Sequence, residues 1–143
     1  MKKSIKIILF IVLAGVLGVG GVTLYVFTKA PTEATKLKPD VIIDATEFFN
    51  TYEEDEEAAN KIYLDKLVQV EGVVAEVFAN NTGELNIILK EEGDFAGVSC
   101  SFIPAEQEKI TKLETGDLVK VKGFCSGMLM DVVLNRCVLV EEK

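Results

Sequence analysis

The sequence predicts a small all-β domain with minor α, a five-stranded barrel, carried behind one apolar N-terminal segment. Three observations lead there. An uncharged apolar stretch runs from Ile7 to Phe27. After residue 66 the hydrophobic period changes from helical to alternating. Five strand-like runs then follow, separated by turn-forming residues, with one short helix signal between the third and fourth.

The apolar stretch reads as a transmembrane helix. Its length at 1.5 Å per residue is about 32 Å, close to the hydrocarbon thickness of a bilayer. Lys2, Lys3 and Lys6 precede it and favour a cytoplasmic N-terminus. Residues 1–28 are therefore expected to be a signal anchor in the cell inner membrane, with the C-terminal domain on the periplasmic or extracytoplasmic side. A cleaved signal peptide is the alternative, opposed by Pro31 after the first cleavable position, Ala30. Residues 29–40 are polar and proline-containing and read as a linker. Residues 41–143 are left for one domain.

Asp44 and Glu47 form the pattern of a capping box, with Ile43 and Phe48 placed as a hydrophobic staple. Ala45, Phe48, Phe49, Tyr52, Ala59, Ile62 and Tyr63 keep one helical phase. The acidic run from Glu53 to Glu57 interrupts it, as a solvated stretch of one helix or as the junction of two with Asp55 capping the second. In the first strand Val68 and Val70 share a face, and a shift to Val73, Ala75 and Val77 suggests a β-bulge at Gly72. Asn80 to Gly83 is a turn. Leu85, Ile87 and Leu89 alternate in the second strand, and Val98, Cys100 and Phe102 in the third. Pro104 opens a short helix that Gly116 closes. Val119, Val121, Gly123 and Cys125 alternate in the fourth strand, and Val132 to Val140 is apolar on both phases, as in a central strand. Five strands with a helix between the third and fourth is the order of an OB-fold.

The run Ala59-Asn-Lys-Ile-Tyr63-Leu-Asp-Lys66-Leu-Val-Gln-Val-Glu-Gly72 resembles the entry to the first strand in the tRNA_anti-like family. Val98-Ser-Cys100-Ser-Phe102 resembles its third strand. Leu113-Glu-Thr-Gly116-Asp-Leu-Val-Lys-Val-Lys-Gly123-Phe-Cys125-Ser-Gly127 resembles its helix end and fourth strand, and Asp131 to Cys137 its last strand. The resemblance implies an OB-fold and a bacterial envelope setting, with no established activity.

Charge and composition restrict the chemistry. The chain holds 15 basic and 23 acidic residues and no histidine. Four of the basic residues (Lys2, Lys3, Lys6, Lys29) lie in or beside the apolar segment, while every acidic residue follows it. Such a domain repels phosphate backbones, so nucleic-acid binding is disfavoured; the pair Lys120 and Lys122 reads as a solvated outer face. Histidine-based catalysis and His-containing zinc sites are excluded. No nucleophile–base pair, metal-ligand spacing or phosphate loop is present, so no enzyme activity and no cofactor are expected. Cys125 and Cys137 fall opposite each other in a hairpin centred on Asp131, within disulfide range; three reduced core cysteines are the alternative. Met128, Leu129 and Met130 at that hairpin's tip are candidate partner contacts, or fold back over the barrel. The expected function is a membrane-anchored binding or interaction module for another envelope protein, a peptide or a glycan. A structural subunit assembling through its membrane helix is the alternative.

Overall fold

The computed structural model describes residues 6–8, 11–12 and 35–141. Most of the apolar segment at residues 7–27, and with it the expected membrane helix, lies outside the described residues. Among the described residues no helix is long and apolar enough to cross a membrane. All elements below belong to the unit that begins at Ala34.

Strand β1 spans Val41–Asp44, helix α1 Ala45–Glu54 and helix α2 Glu56–Tyr63. Strand β2 spans Leu67–Ala79, β3 Leu85–Leu89 and β4 Val98–Phe102. A 3₁₀ turn at Pro104–Glu106 leads into helix α3, Gln107–Ile110, followed by β5, Leu118–Met128, and β6, Val132–Leu139. The sheet order is β1-β2-β3-β4-β6-β5, and β2 also pairs with β5. That second pairing closes β2 to β6 into the five-stranded barrel expected from the sequence. Strand β1 is an addition: a β-branched run that lies parallel to the first half of β2.

Strand β2 does two jobs. Leu67–Val73 pair with β5 and Val74–Ala79 with β3. The bend between them is a register shift between Val74 and Glu76, not the bulge at Gly72 expected from the sequence. Val70, Gly72 and Val74 share the buried face, and Val73 points outward. Gly72 belongs to the inward set because helix α1 starts directly over it. A Cβ there would lie 2.7 Å from Ala45 Cβ and 3.2 Å from Leu89 Cβ.

The acidic run resolves into two helices. Asp44 Oδ1 accepts from Thr46 N (2.9 Å) and caps α1. Asp55 ends α1 through its own N–H to Thr51 O and caps α2 by accepting from Ala58 N at 3.0 Å. Helix α1 packs on β2, β4 and β6 and so plugs the barrel. Phe48 stacks edge-on against Tyr52 (5.6 Å between centroids) and Tyr63 (5.0 Å). Ile62, assigned to the same apolar face, is exposed instead; with Ala59 and Tyr63 inward, it lies off the narrow buried stripe of this two-turn helix.

Gly72→Ala is expected to overpack this contact and cost about 1–3 kcal/mol. The loss should read as roughly 4–8 °C of melting temperature for each kcal/mol. Adding Ala45→Gly removes the opposing methyl and should restore part of it. A double variant no more stable than Gly72→Ala would refute the contact.

Candidate functional site

The outward face of β3 and β4, the second and third barrel strands, is where OB-folds receive chain-like ligands, and β6 borders it. Strand register determines which side chains stand there. Ile87, Leu89, Val98, Cys100, Val132 and Leu134 are buried inward, so their neighbours point out. One transverse row reads Phe78, Asn86, Ser101. The next reads Glu76, Ile88, Ser99, Val133. Asn135 continues the face and donates from Nδ2 to Ser126 Oγ at 2.6 Å. Apart from Glu76 at its border, both rows are uncharged in a strongly acidic domain.

The β2–β3 end of this face is braced. Gln107 replaces a missing ladder partner there: Leu85 N donates to its Oε1 (2.6 Å), and its Nε2 donates to Leu85 O and Phe102 O. Asn80 Oδ1 orders the β2–β3 turn by accepting from Thr82 N (2.9 Å) and Glu84 N (3.0 Å). Asn86 is buried, and its Oδ1 has no hydrogen-bond partner among the described residues. That leaves an acceptor unsatisfied within the face.

The β5–β6 tip does not fold back over the barrel. Met128 packs against the core, whereas Leu129 is 90% and Met130 67% exposed. Main-chain geometry explains the projection: Leu129 N donates to Asp131 O (3.1 Å), and Gly97 N donates to Asp131 Oδ1 at 2.8 Å. The tip is thus tied to the loop after β3 and held outward.

The expected opposition of Cys125 and Cys137 is not found. Cys125 pairs with Leu134, and Cys137 with Phe102 of β4. Register shifts in the β5–β6 pair, together with Arg136 at φ 52°, set Cys125 opposite Leu134, three residues short of Cys137. All three cysteines are free and buried. Tyr52 Oη donates to Asn60 Oδ1 (3.2 Å), leaving its oxygen to accept the Cys125 thiol at 3.2 Å. Burial first, and Cys125 second, push the Tyr52 phenol well above its usual range. Burial, reinforced by neighbouring Cys100, likewise pushes the Cys137 thiol up. Gly123 makes room for that sulfur: a Cβ there would lie 2.5 Å from Cys137 Sγ.

Lys122 also departs from the sequence reading. It is 8% exposed rather than solvated, and its Nζ donates to the linker carbonyls Leu37 O (2.8 Å) and Thr35 O (3.3 Å). The linker segment before β1 is therefore strapped onto the outer face of β5. A groove of about 250 Å³ runs beside the strap between Lys122, Glu106 and Val138. Glu106 is itself engaged, accepting from Leu139 N at 2.9 Å. Lys120, by contrast, pairs across the sheet with Glu71 at 3.6 Å. Among the described residues no cluster of metal-binding side chains occurs.

Sequence reasoning missed Phe78, Asn86, Ser99 and Ser101 as one surface. The alternation was readable, but the neighbours across strands were not.

Residues 1–139 match the family model tRNA_anti-like. No curated protein matches the chain. Among solved structures, the chain is similar to a lipoprotein from Klebsiella pneumoniae, provisionally designated nucleic acid-binding. The TM-score is 0.58 at 15% identity, over 69% of this chain and 91% of that one. A provisionally assigned aspartyl-tRNA synthetase from Leishmania major aligns with a TM-score of 0.47 at 12% identity, over 78% of this chain and 23% of that one. Asparaginyl-tRNA synthetase from Pyrococcus horikoshii aligns with a TM-score of 0.41 at 13% identity, over 57% and 20%. The chain thus spans only a small part of either synthetase.

Two outcomes check these contacts. A maleimide should label none of the three cysteines in the native protein and all three after denaturation without reductant; label that waits for reductant would mean a bridge. Lys122→Met keeps the apolar stem but removes two charge-assisted hydrogen bonds. Tryptic cleavage after Lys36 should then accelerate about tenfold or more, with the barrel's melting temperature little changed.

Proposed function

The chain belongs to the tRNA_anti-like family, and from that premise we propose that it is a membrane-anchored OB-fold binding module of the bacterial envelope whose β3–β4–β6 face receives an uncharged chain ligand, an oligosaccharide before a peptide. The observation that carries the reading is the pair of outward rows across β2, β3, β4 and β6. Hydroxyls at Ser99 and Ser101 offer hydrogen bonds, with the half-buried Phe78 ring at their edge. Apolar ring faces beside neutral donors and acceptors suit sugar rings, whose own surface alternates in the same way.

Binding a phosphate backbone needs cations tracking the strand. The two rows contain none, and the adjoining loops carry Glu84, Glu91, Glu92 and Asp94 against Lys90. The Klebsiella lipoprotein's designation supports the envelope setting and the fold of the proposal, and its nucleic-acid ligand is the competing one. The anchor rests on the apolar stretch at residues 7–27 and the lysines before it. No catalytic step is proposed.

The test is a titration of the full chain in neutral detergent, read by ligand-observed NMR. The panel holds chitin oligosaccharides, uncharged peptides and oligo-dT at physiological salt. Sugar binding that weakens about tenfold, or 1.4 kcal/mol, in Phe78→Ala or Ser101→Glu supports the proposal. Tighter binding to oligo-dT, strengthened by Ser101→Lys, overturns it in favour of nucleic acid.

A further inference from the structure

We propose that the end of the barrel bearing Phe95, Leu129 and Met130 is a second, separate docking surface, and that its occupant is a cationic, apolar segment of a partner protein. This inference is independent of the ligand assigned to the β3–β4–β6 face.

Phe95 is 89% exposed, comparable with Leu129 at the neighbouring tip. The two loops are joined at their bases. Gly97 N donates to Asp131 Oδ1, and Val132 N donates to Gly97 O at 3.0 Å. The β3–β4 loop is braced in addition: Lys90 Nζ donates to Asp94 O (3.1 Å), and Glu91 N donates to Asp94 Oδ2 (3.3 Å). Three large apolar side chains are therefore held out on pre-ordered backbone, which lowers the entropy lost on docking. Isolated exposed apolar residues are ordinary; a group of them presented by two tied loops is the pattern of a contact surface.

Charge selects the occupant. The same β3–β4 loop carries the exposed carboxylates of Glu91 and Glu92, four and three residues before Phe95. Lys90 is the one cation in that loop, and its ammonium is turned onto Asp94 O. A second copy of the chain would bring an identical acidic rim against this one, and an anionic lipid surface would be repelled in the same way. A partner carrying Lys or Arg around an apolar anchor meets both halves of the surface.

The experiment uses the full chain in neutral detergent with methyl-labelled methionine, so that Met130 reports directly. The probe is a synthetic amphipathic peptide of leucine and lysine; its twin carries glutamate for lysine. The Met130 methyl signal is expected to shift with the lysine peptide, with affinity falling as salt rises, and to stay unmoved by the twin. The double variant Phe95→Ser, Leu129→Ser should weaken binding about tenfold with an unchanged melting temperature, since the tying hydrogen bonds are main-chain or Asp131. Glu91→Gln with Glu92→Gln should weaken it several-fold and flatten the salt dependence. Equal binding of both peptides, an unmoved Met130, or undiminished binding by the double serine variant would overturn the proposal. A Met130 shift on concentration alone would replace the partner by a second copy, and a shift with anionic vesicles alone would replace it by lipid. Sugar binding on the β3–β4–β6 face should persist in every variant, so failure at one surface is distinguishable from failure at the other.

Discussion

Everything in this domain depends on one strand pairing on both sides. The first half of β2 bonds to β5 and the second half to β3. Only a bent strand can do that, and the bulge between Val74 and Glu76 supplies the bend. Closure removes the unpaired barrel edges that would otherwise template aggregation. It also sets a narrow interior that α1 must fill from one opening. Gly72 and Ala45 meet there with no space for another methyl, so the position of the helical plug and the curvature of β2 constrain one another. Ile110, fully buried in the core, comes from the short helix between β4 and β5.

The outer surface inherits this arrangement. Once Ile87, Leu89, Cys100 and Leu134 are inward, period two leaves Ile88, Ser99, Ser101 and Val133 facing out, with Asn86 buried beneath them. The result is a neutral hydrogen-bonding strip on a domain that otherwise repels anions. Family membership describes the scaffold; the chemistry of the strip argues for the ligand. Buried polar contacts elsewhere serve architecture. Lys122 immobilises the linker, Gln107 completes a ladder, and the Cys125–Tyr52–Asn60 chain ties β5 to both helices. The raised Tyr52 and Cys137 groups stay neutral at physiological pH, consistent with packing rather than reactivity.

Short-range features were legible in the sequence. Asp44 and Asp55 cap helices because an N-cap needs only its own side chain and the next turn's N–H groups. The inward phases of β3, β4 and β5 followed from alternation. The strand order strand-strand-strand-helix-strand-strand was enough to expect the barrel. What failed depended on counting across a bulge. Moving the β2 shift from Gly72 to Ala75 reverses Val73, and the irregular β5–β6 pair separates Cys125 from Cys137. A two-for-one pairing leaves no local mark in composition, so the period-two count goes on as if the strand were regular.

By itself the sequence determined the class of this protein: an apolar segment and one acidic OB-fold domain without histidine. Those are properties of composition and of contacts within a few residues, which survive any arrangement of the strands. Only the tertiary structure decided which side chains share a surface. It joined Phe78 to Asn86 and Ser101, the loop of Phe95 to the tip of Leu129 and Met130, and Lys122 to the linker carbonyls 85 and 87 residues away. Such neighbours are set by register and barrel closure, which are cooperative outcomes of packing the whole core and are written in no single segment.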